Sequence, residues 1–447
     1  MLNIMQELSS FVLTGVSSGS GKTTVSLGLM AAFSDIGLKV QPFKCGPDFI
    51  DPGLHKLVTG TISRNLDIWM SSEAFVKDCY ARFSHGSDVA IVEGVMGMFD
   101  GGVSSSAALA EVLGLPTILV IDVSSMAESA AALIKGFESL RPQVAPAGVI
   151  LNRIASPRHL QLVTDAVKKH CRAEILGYLP RTVEFSIPSR HLGLLTSEES
   201  PLRPEAISTL ITSVKKHIDL DRLYKLCRQS APQSPARKSS VNSDFTLAVA
   251  RDKAFCFYYE DNFDLFRNEG VDIATFSPLK DTKLPADTDA VYLGGGYPEL
   301  YARQLSQNTA MLAELRRWNE SSRVMYAECG GFMYLTDGIY DMENRFHPMA
   351  GIFPVKTKMQ KTRASLGYRD IVTRTESCFG PAGARLRGHE FHYSVIDEMN
   401  PGITRVYQVN NEFEEGYQVN RTLGGYMHLH LGHSVEAVKQ FIKYSRE

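Results

Sequence analysis

Apolar positions in the first half of the chain come in short unbroken runs separated by longer mixed stretches. The runs 10–16 (SFVLTGV), 38–44 (LKVQPFK), 88–94 (DVAIVEG), 117–122 (TILVID), 148–154 (GVILNRI) and 174–180 (EILGYLP) are short and rich in Val, Ile and Leu. They read as buried strands. Between them, 24–37 (TVSLGLMAAFSDIG) reads as an amphipathic helix closed by Gly37, and 128–140 carries a second helical pattern. This alternation predicts a doubly wound, mostly parallel sheet, with ligands beyond the strand C-termini. Helical patterns fill 203–227, after which 228–243 (RQSAPQSPARKSSVNS) has no apolar period and reads as a linker.

Beyond the linker the alternation restarts. Strands are expected at 246–252, 272–278 and 290–296, a helix at 258–270, and a strand-to-helix passage at 323–335 (RVMYAECGGFMYL). Shorter strands follow, and 434–447 reads as a closing helix. The expected fold class is α/β with two doubly wound domains, 1–227 and 244–447.

Composition narrows the function classes. With 447 residues there is enough chain for more than one full core, and a net charge of -2 gives no general attraction to nucleic acid or to an anionic membrane. No apolar run approaches the ~20 residues of a membrane span, and the first residues (MLNIMQELSS) lack a basic region before an apolar stretch. Seven scattered cysteines without a CxxC pair argue against both a disulfide framework and a zinc site. The expected compartment is a reducing cytoplasm.

Two stretches carry chemistry. After the first strand, Gly15 to Thr23 (GVSSGSGKT) leads into a helix, the arrangement of a phosphate-binding loop. Gly19, Ser20, Gly21, Lys22, Thr23 and Thr24 are the candidate ATP-binding residues, with Lys22 on the β/γ phosphates and Thr23 on Mg²⁺. Five residues, one more than standard, separate Gly15 from the Gly21-Lys22 pair. Downstream, Asp48 and Asp51 follow a strand end, which suits a hard cation or the orientation of a phosphorylated substrate; turn chemistry is the alternative. Glu93 closes a buried strand and is the expected partner of the metal with Thr23 and Asp48, while Asp100 joins Asp48 and Asp51 as a candidate for phosphoryl transfer. Asn152 can present its amide to an adenine edge or satisfy a turn.

The second stretch is Glu328-Cys329-Gly330-Gly331, a strand that stops at a small nucleophile and restarts as a helix. That is the pattern of a nucleophile elbow, and a helix N-terminus aimed at the sulfur favours thiolate. Gly294, Gly295 and Gly296 end another strand, and the N–H groups of Gly295, Gly296 and Gly330 are the candidate oxyanion donors. A nucleophilic cysteine needs a base. His428 and His430 alternate with apolar residues near the C-terminus and supply one.

The ordered blocks closely resemble the cobyrinic acid a,c-diamide synthase family over essentially the whole chain. SSGSGKTT (17–24), QPFKCGPDFIDPG (41–53), SRNLDIWM (63–70), VEGVMGMFDG (92–101) and SRHLGLL (189–195) resemble its dethiobiotin-synthetase-like ATP-binding domain. LGGGYPEL (293–300), AECGGFMYL (327–335), GHEFHYS (388–394) and YMHLHL (426–431) resemble a class I glutamine amidotransferase domain, which implies a flavodoxin-like fold. The resemblance implies Cys329 as nucleophile and His428 as base. Many class I amidotransferases carry a glutamate two residues after that histidine; here the position is His430, so the third triad member is open, with Glu436 and Glu390 as available carboxylates. The implied partners are ATP with Mg²⁺, L-glutamine and a cobyrinate-type tetrapyrrole acid, amidated at its a and c acetates through acyl phosphates. Hydrogenobyrinate or nickel-sirohydrochlorin is the alternative acid, and a partition-type ATPase the alternative class. The oligomeric state is open, a homodimer included.

Overall fold

The computed structural model describes residues 7–183, 185, 189–190, 193–194, 202–233 and 244–447. The chain divides into two compact units, Met1–Ala236 and Arg237–Glu447.

In the first unit the elements run β1 (Glu7–Gly15), α1 (Lys22–Asp35), β2 (Val40–Cys45), α2 (Asp51–Thr59), β3 (Arg64–Leu66), α3 (Glu73–Ser84), β4 (Val89–Glu93) and α4 (Ser106–Leu113). There follow β5 (Thr117–Asp122), α5 (Ser129–Leu140), β6 (Gly148–Ile154), α6 (Pro157–His170) and β7 (Glu174–Pro180). A two-residue pair, β8 (Ser189–Arg190) and β9 (Gly193–Leu194), precedes α7 (Pro204–His217), α8 (Leu220–Leu226) and β10 (Arg228–Ser230). The parallel sheet has the order β3-β2-β4-β1-β5-β6-β7. Its central strands are solid with Val, Ile and Leu because helices cover both faces, as the unbroken apolar runs require.

Two expectations are corrected here. The helix after the phosphate loop is not amphipathic: Val25 to Phe33 is buried throughout, because α7 packs on the side of α1 turned away from the sheet. Its apolar positions therefore go all the way round. The segment 228–243 is not wholly linker. β1 starts before its neighbour β5 does, which leaves the backbone of Glu7–Ser9 open on that side, and Arg228–Ser230 pairs with it antiparallel. A sheet edge needs only backbone partners, so a polar sequence serves. Residues 234–243 of the expected linker, and His191 of the SRHLGLL block, lie outside the described residues.

The second unit opens as β11 (Thr246–Ala250), α9 (Glu260–Asn268), β12 (Asp272–Phe276), β13 (Ala290–Leu293), α10 (Ala302–Gln307), α11 (Thr309–Glu320), β14 (Met325–Glu328) and α12 (Gly330–Leu335). Then come β15 (Thr336–Tyr340), β16 (Phe346–Pro348), β17 (Phe353–Met359), β18 (Ser365–Thr373), β19 (Arg385–His392) and β20 (Ser394–Ile396). β21 (Thr404–Val409), β22 (Phe413–Val419), β23 (Thr422–Gly425), β24 (His428–Leu429) and α13 (Val435–Arg446) complete it. The sheet order is β12-β11-β13-β14-β23-β22-β21-β18-β19-β24. The first five strands are parallel and the rest antiparallel, so the doubly wound part ends at β23. A smaller sheet, β16-β15-β17-β20, flanks it.

The short strand that carries His428 is held from α9. Asn262, buried, donates its amide to Leu429 O at 2.8 Å and accepts from Leu431 N at 2.8 Å. Asn262→Ala strands a buried carbonyl and a buried N–H together, and each costs about 1–3 kcal/mol. Urea unfolding should show the chain destabilised by roughly 2–4 kcal/mol.

Candidate active sites

The phosphate loop turns through two glycines in the left-handed region, Gly19 at φ 79° and Gly21 at φ 94°, and α1 begins at the next residue. Ser20 is buried beneath the loop and Thr24 is half-buried in the first helical turn. Lys22 arches across the loop, donating to Ser17 O at 3.0 Å and to Met96 O. Burial, followed by Lys44 nearby, lowers its pKa. Thr23 donates its hydroxyl to Glu93 Oε1 at 2.7 Å, so a hydroxyl from the first turn of α1 meets a carboxylate from the end of β4.

Around Glu93 lies a buried ion cluster. Lys44, from β2, places its ammonium 2.6 Å from Asp51, 3.2 Å from Glu93 and 3.8 Å from Asp48. Burial works against the Lys44 charge, but Asp51 and Glu93, with Asp48 behind them, outweigh it and hold the pKa well above the lysine range. Burial also works against charge on Glu93; Lys44 and a 2.8 Å hydrogen bond with His55 Nε2 nevertheless keep its carboxyl well below the usual range. Asp51 is pushed up, first by burial and then by Asp48. His55 is itself anchored on Ser63 Oγ at 3.0 Å. Sequence reading missed Lys44 and His55; Lys44 stands in the QPFKCGPDFIDPG block and His55 two residues beyond it, but nothing in spacing shows which carboxylate each meets.

Among the described residues no group of three or more His, Cys, Asp or Glu is arranged to hold a metal ion. The donor chemistry of Thr23 and Glu93 still fits Mg²⁺, which takes one or two protein oxygens and completes its shell from phosphates and water. Asp48 stands apart from that pair. Its Oδ1 accepts from Ile50 N at 2.8 Å and Asp51 N at 3.0 Å, and Oδ2 faces Lys44. Asp100 is exposed, and its Oδ2 accepts from Gly97 N at 3.0 Å. Asn152, at the end of β6, is engaged within the unit itself. Its amide donates to Ser20 O at 3.0 Å, which ties β6 to the glycine loop, while its carbonyl accepts from the neighbouring Arg153 N at 2.9 Å.

In the second unit β14 ends at Glu328 and Cys329 sits at φ 46°, ψ -102°, a strained conformation for a residue with a side chain. Its N–H donates to Gly425 O at 2.7 Å, which ties the elbow to β23. The helix that follows is only six residues long and wholly buried. Burial, then Glu299, pushes the Cys329 thiol upward, more than the Gly330 N–H opposes it. Desolvation thus opposes the thiolate that the helix N-terminus favours.

The three oxyanion candidates do come together. A Cβ on Gly330 would lie 3.0 Å from Gly296 N, and one on Gly295 would lie 2.3 Å from His428 Cε1. Glycine is required at 295 because the imidazole occupies the side-chain position. His428 is buried, stacked on His389 at 4.9 Å, and its Nδ1 lies 3.7 Å from Glu328 Oε2. His430 is not a second base: burial takes it down to about 4, and its Nδ1 accepts from Gly432 N at 3.2 Å. Of the carboxylates available for a third triad member, Glu436 sits in the first turn of α13 near Lys439, and Glu390 binds Arg369 and His392, each at 2.7 Å.

Two family models match. A CobQ/CobB/MinD/ParA nucleotide binding domain covers residues 11–195, and a CobB/CobQ-like glutamine amidotransferase domain covers 246–435. Curated relatives run the full length. The cobyrinate a,c-diamide synthase of Streptococcus sanguinis is 40% identical over 98% of this chain and 100% of its own. The chain belongs to the cobyrinate a,c-diamide synthase family. The member from Salmonella typhimurium is 38% identical over 98% of both chains, and that from Syntrophotalea carbinolica 40% identical over 97% of this chain and 98% of its own. Among the described residues no helix is long and apolar enough to cross a membrane.

The ion cluster gives a test whose sign depends on pH. In the wild type, the depressed Glu93 pKa contributes stability that is present above ~4.3, the unfolded carboxylate value, and lost as pH falls through the folded value. Lys44→Met leaves Glu93 and Asp51 without the cation that lowers their pKa values, so both folded values rise. Removing one partner of such a group costs about 3–5 kcal/mol at neutral pH. The variant should regain more stability than the wild type as pH is lowered toward 5, in urea titrations at several pH values.

Proposed function

We propose that this chain amidates the a and c acetate carboxylates of cobyrinate, using ATP and glutamine, as a step in making cobalamin. The observation that carries the reading is likeness over the full length to cobyrinate a,c-diamide synthases, through a nucleotide-binding unit and an amidotransferase unit alike. A free carboxylate is a poor electrophile and ammonium is no nucleophile, so the reaction needs both an activated acid and a source of NH₃. The two units divide that work.

In the second unit, His428 takes the thiol proton as Cys329 attacks the side-chain amide carbon of glutamine. The N–H groups of Gly296 and Gly330, with Gly295 beside them, receive the oxyanion. The proton returns to the departing nitrogen, ammonia leaves, and water hydrolyses the thioester to glutamate. A thiol kept protonated until glutamine arrives fits this order, because the buried His428 is the acceptor.

In the first unit, the N–H groups of the Gly19–Thr24 loop and the Lys22 ammonium hold the phosphates of ATP. The γ-phosphoryl group passes to the substrate carboxylate and ADP leaves. Ammonia then attacks the acyl carbon, phosphate departs, and an amide remains. Thr23 and Glu93 would hold Mg²⁺, which when bound offsets the charge on the phosphates. Asp48, Asp51 and Asp100 ring the same strand ends and orient the acid that accepts the phosphoryl group.

Cys329→Ala should lose glutamine-dependent turnover by about 10³-fold or more while turnover with ammonium salts continues. Transfer of ¹⁵N from amide-labelled glutamine to cobyrinate, followed by mass spectrometry, measures it. Equal loss with both nitrogen donors would refute the division of labour.

A further inference from the structure

The amidotransferase unit holds a buried acid that neither motif nor spacing assigns. Glu328, the residue before Cys329, is only 2% exposed, and among the described residues its one ion-pair partner is His428. Three donors fix its carboxylate: Tyr326 OH at 2.8 Å and Leu429 N at 3.0 Å on Oε1, and Tyr292 OH at 2.9 Å on Oε2. Both phenols have pKa values pushed well above the usual range, first by burial and then by Glu328 itself, so they stay donors. The carboxylate thus grips the backbone beside His428 through Leu429 and turns Oε2 toward the imidazole Nδ1, 3.7 Å away.

We propose that Glu328 is the positioning residue for His428, the third member of the triad, supplied from the strand that carries the nucleophile. The proposal rests on reading Cys329 and His428 as the glutaminase pair. A carboxylate facing Nδ1 places the imidazole proton there, which leaves Nε2 as the base and stabilises the imidazolium formed when the thiol gives up its proton. Gly295 confines the ring at Cε1, the edge between the two nitrogens, so the ring is held on one edge while Glu328 faces Nδ1.

The other groups around the ring do not replace it. His389, stacked on His428 from β19, has its pKa driven well below the usual value by burial, then by His428 and His430, and its Nδ1 meets Tyr259 OH at 2.8 Å. His430 is neutral for the same reason of burial. The imidazole of His392 has a carboxylate neighbour too, but both its nitrogens are engaged, Nε2 on Glu390 Oε1 and Nδ1 on Ser394 O, each at 2.7 Å.

The test is glutaminase kinetics of the full chain between pH 6 and 10 for wild type, Glu328→Gln and Cys329→Ala. Glu328→Gln should keep KM for glutamine within about threefold and lower kcat by about 10²–10⁴-fold, the range seen when a triad acid becomes an amide. The acid limb of its profile should move to lower pH, because an imidazolium without its carboxylate loses its proton more readily. Glu328→Asp, which keeps the charge, should recover part of kcat. An unchanged kcat and pH profile in Glu328→Gln, with glutaminase absent from Cys329→Ala, overturns this proposal alone. Glutaminase persisting in Cys329→Ala overturns it together with the reading beneath it. One measurement needs no stable variant at Glu328: ¹⁵N-histidine NMR of the wild type, with His428 assigned by substitution, should find the proton on Nδ1. A proton on Nε2 of neutral His428 overturns the proposal.

Discussion

The cysteine elbow exists because backbone segments meet where no side chain fits. The positions at which Cβ atoms on Gly295 and Gly330 would stand are taken by the His428 ring and the Gly296 amide. Crowding of this kind leaves the chain one way through, and Cys329 takes it at a positive φ that its own side chain disfavours. The strain is held by the Gly425 carbonyl on its N–H and by the apolar core that Cys329 joins. The placing of the candidate nucleophile, base and oxyanion donors follows from that single packing constraint.

The first unit solves a different problem. Three acids and two lysines stand at the C-terminal edge of a parallel sheet whose interior is largely apolar, so charge has to be balanced locally. Lys44 supplies the balance: it lies within ion-pair distance of all three acids, while His55 fixes the far oxygen of Glu93. With that oxygen occupied, Glu93 has Oε1 to share between Thr23 and Lys44, which turns the acid toward the phosphate loop. Asn152 braces the same loop from below through Ser20. Electrostatics here and sterics in the second unit reach the same end, a reactive group held still at a strand terminus.

Where single-sequence reading went astray, the cause lies in neighbours remote along the chain. The helix after Gly21 looked amphipathic until α7, nearly two hundred residues on, covered its outer side. Arg228–Ser230 looked like linker because a paired edge strand needs no apolar pattern of its own. The dipole argument at Cys329 left out desolvation; the sulfur is buried beside a helix of only six residues, and that burial pushes the thiol pKa up.

The alternation of apolar runs with helical stretches, the glycine loop before Lys22 and the Cys-Gly-Gly turn are local, so the primary sequence alone determined two α/β units and pointed to a candidate phosphate site and a candidate nucleophile. Local patterns report backbone conformation and burial. They carry no record of which side chains meet across a sheet. Glu93 finds Lys44 across 49 positions and Asn152 finds Ser20 across 132, while Glu328 reaches His428 from the far side of the antiparallel insertion. Those pairings arose only when strands distant in sequence settled side by side, because hydrogen bonds and ion pairs act over a few ångströms of space and are blind to distance along the chain.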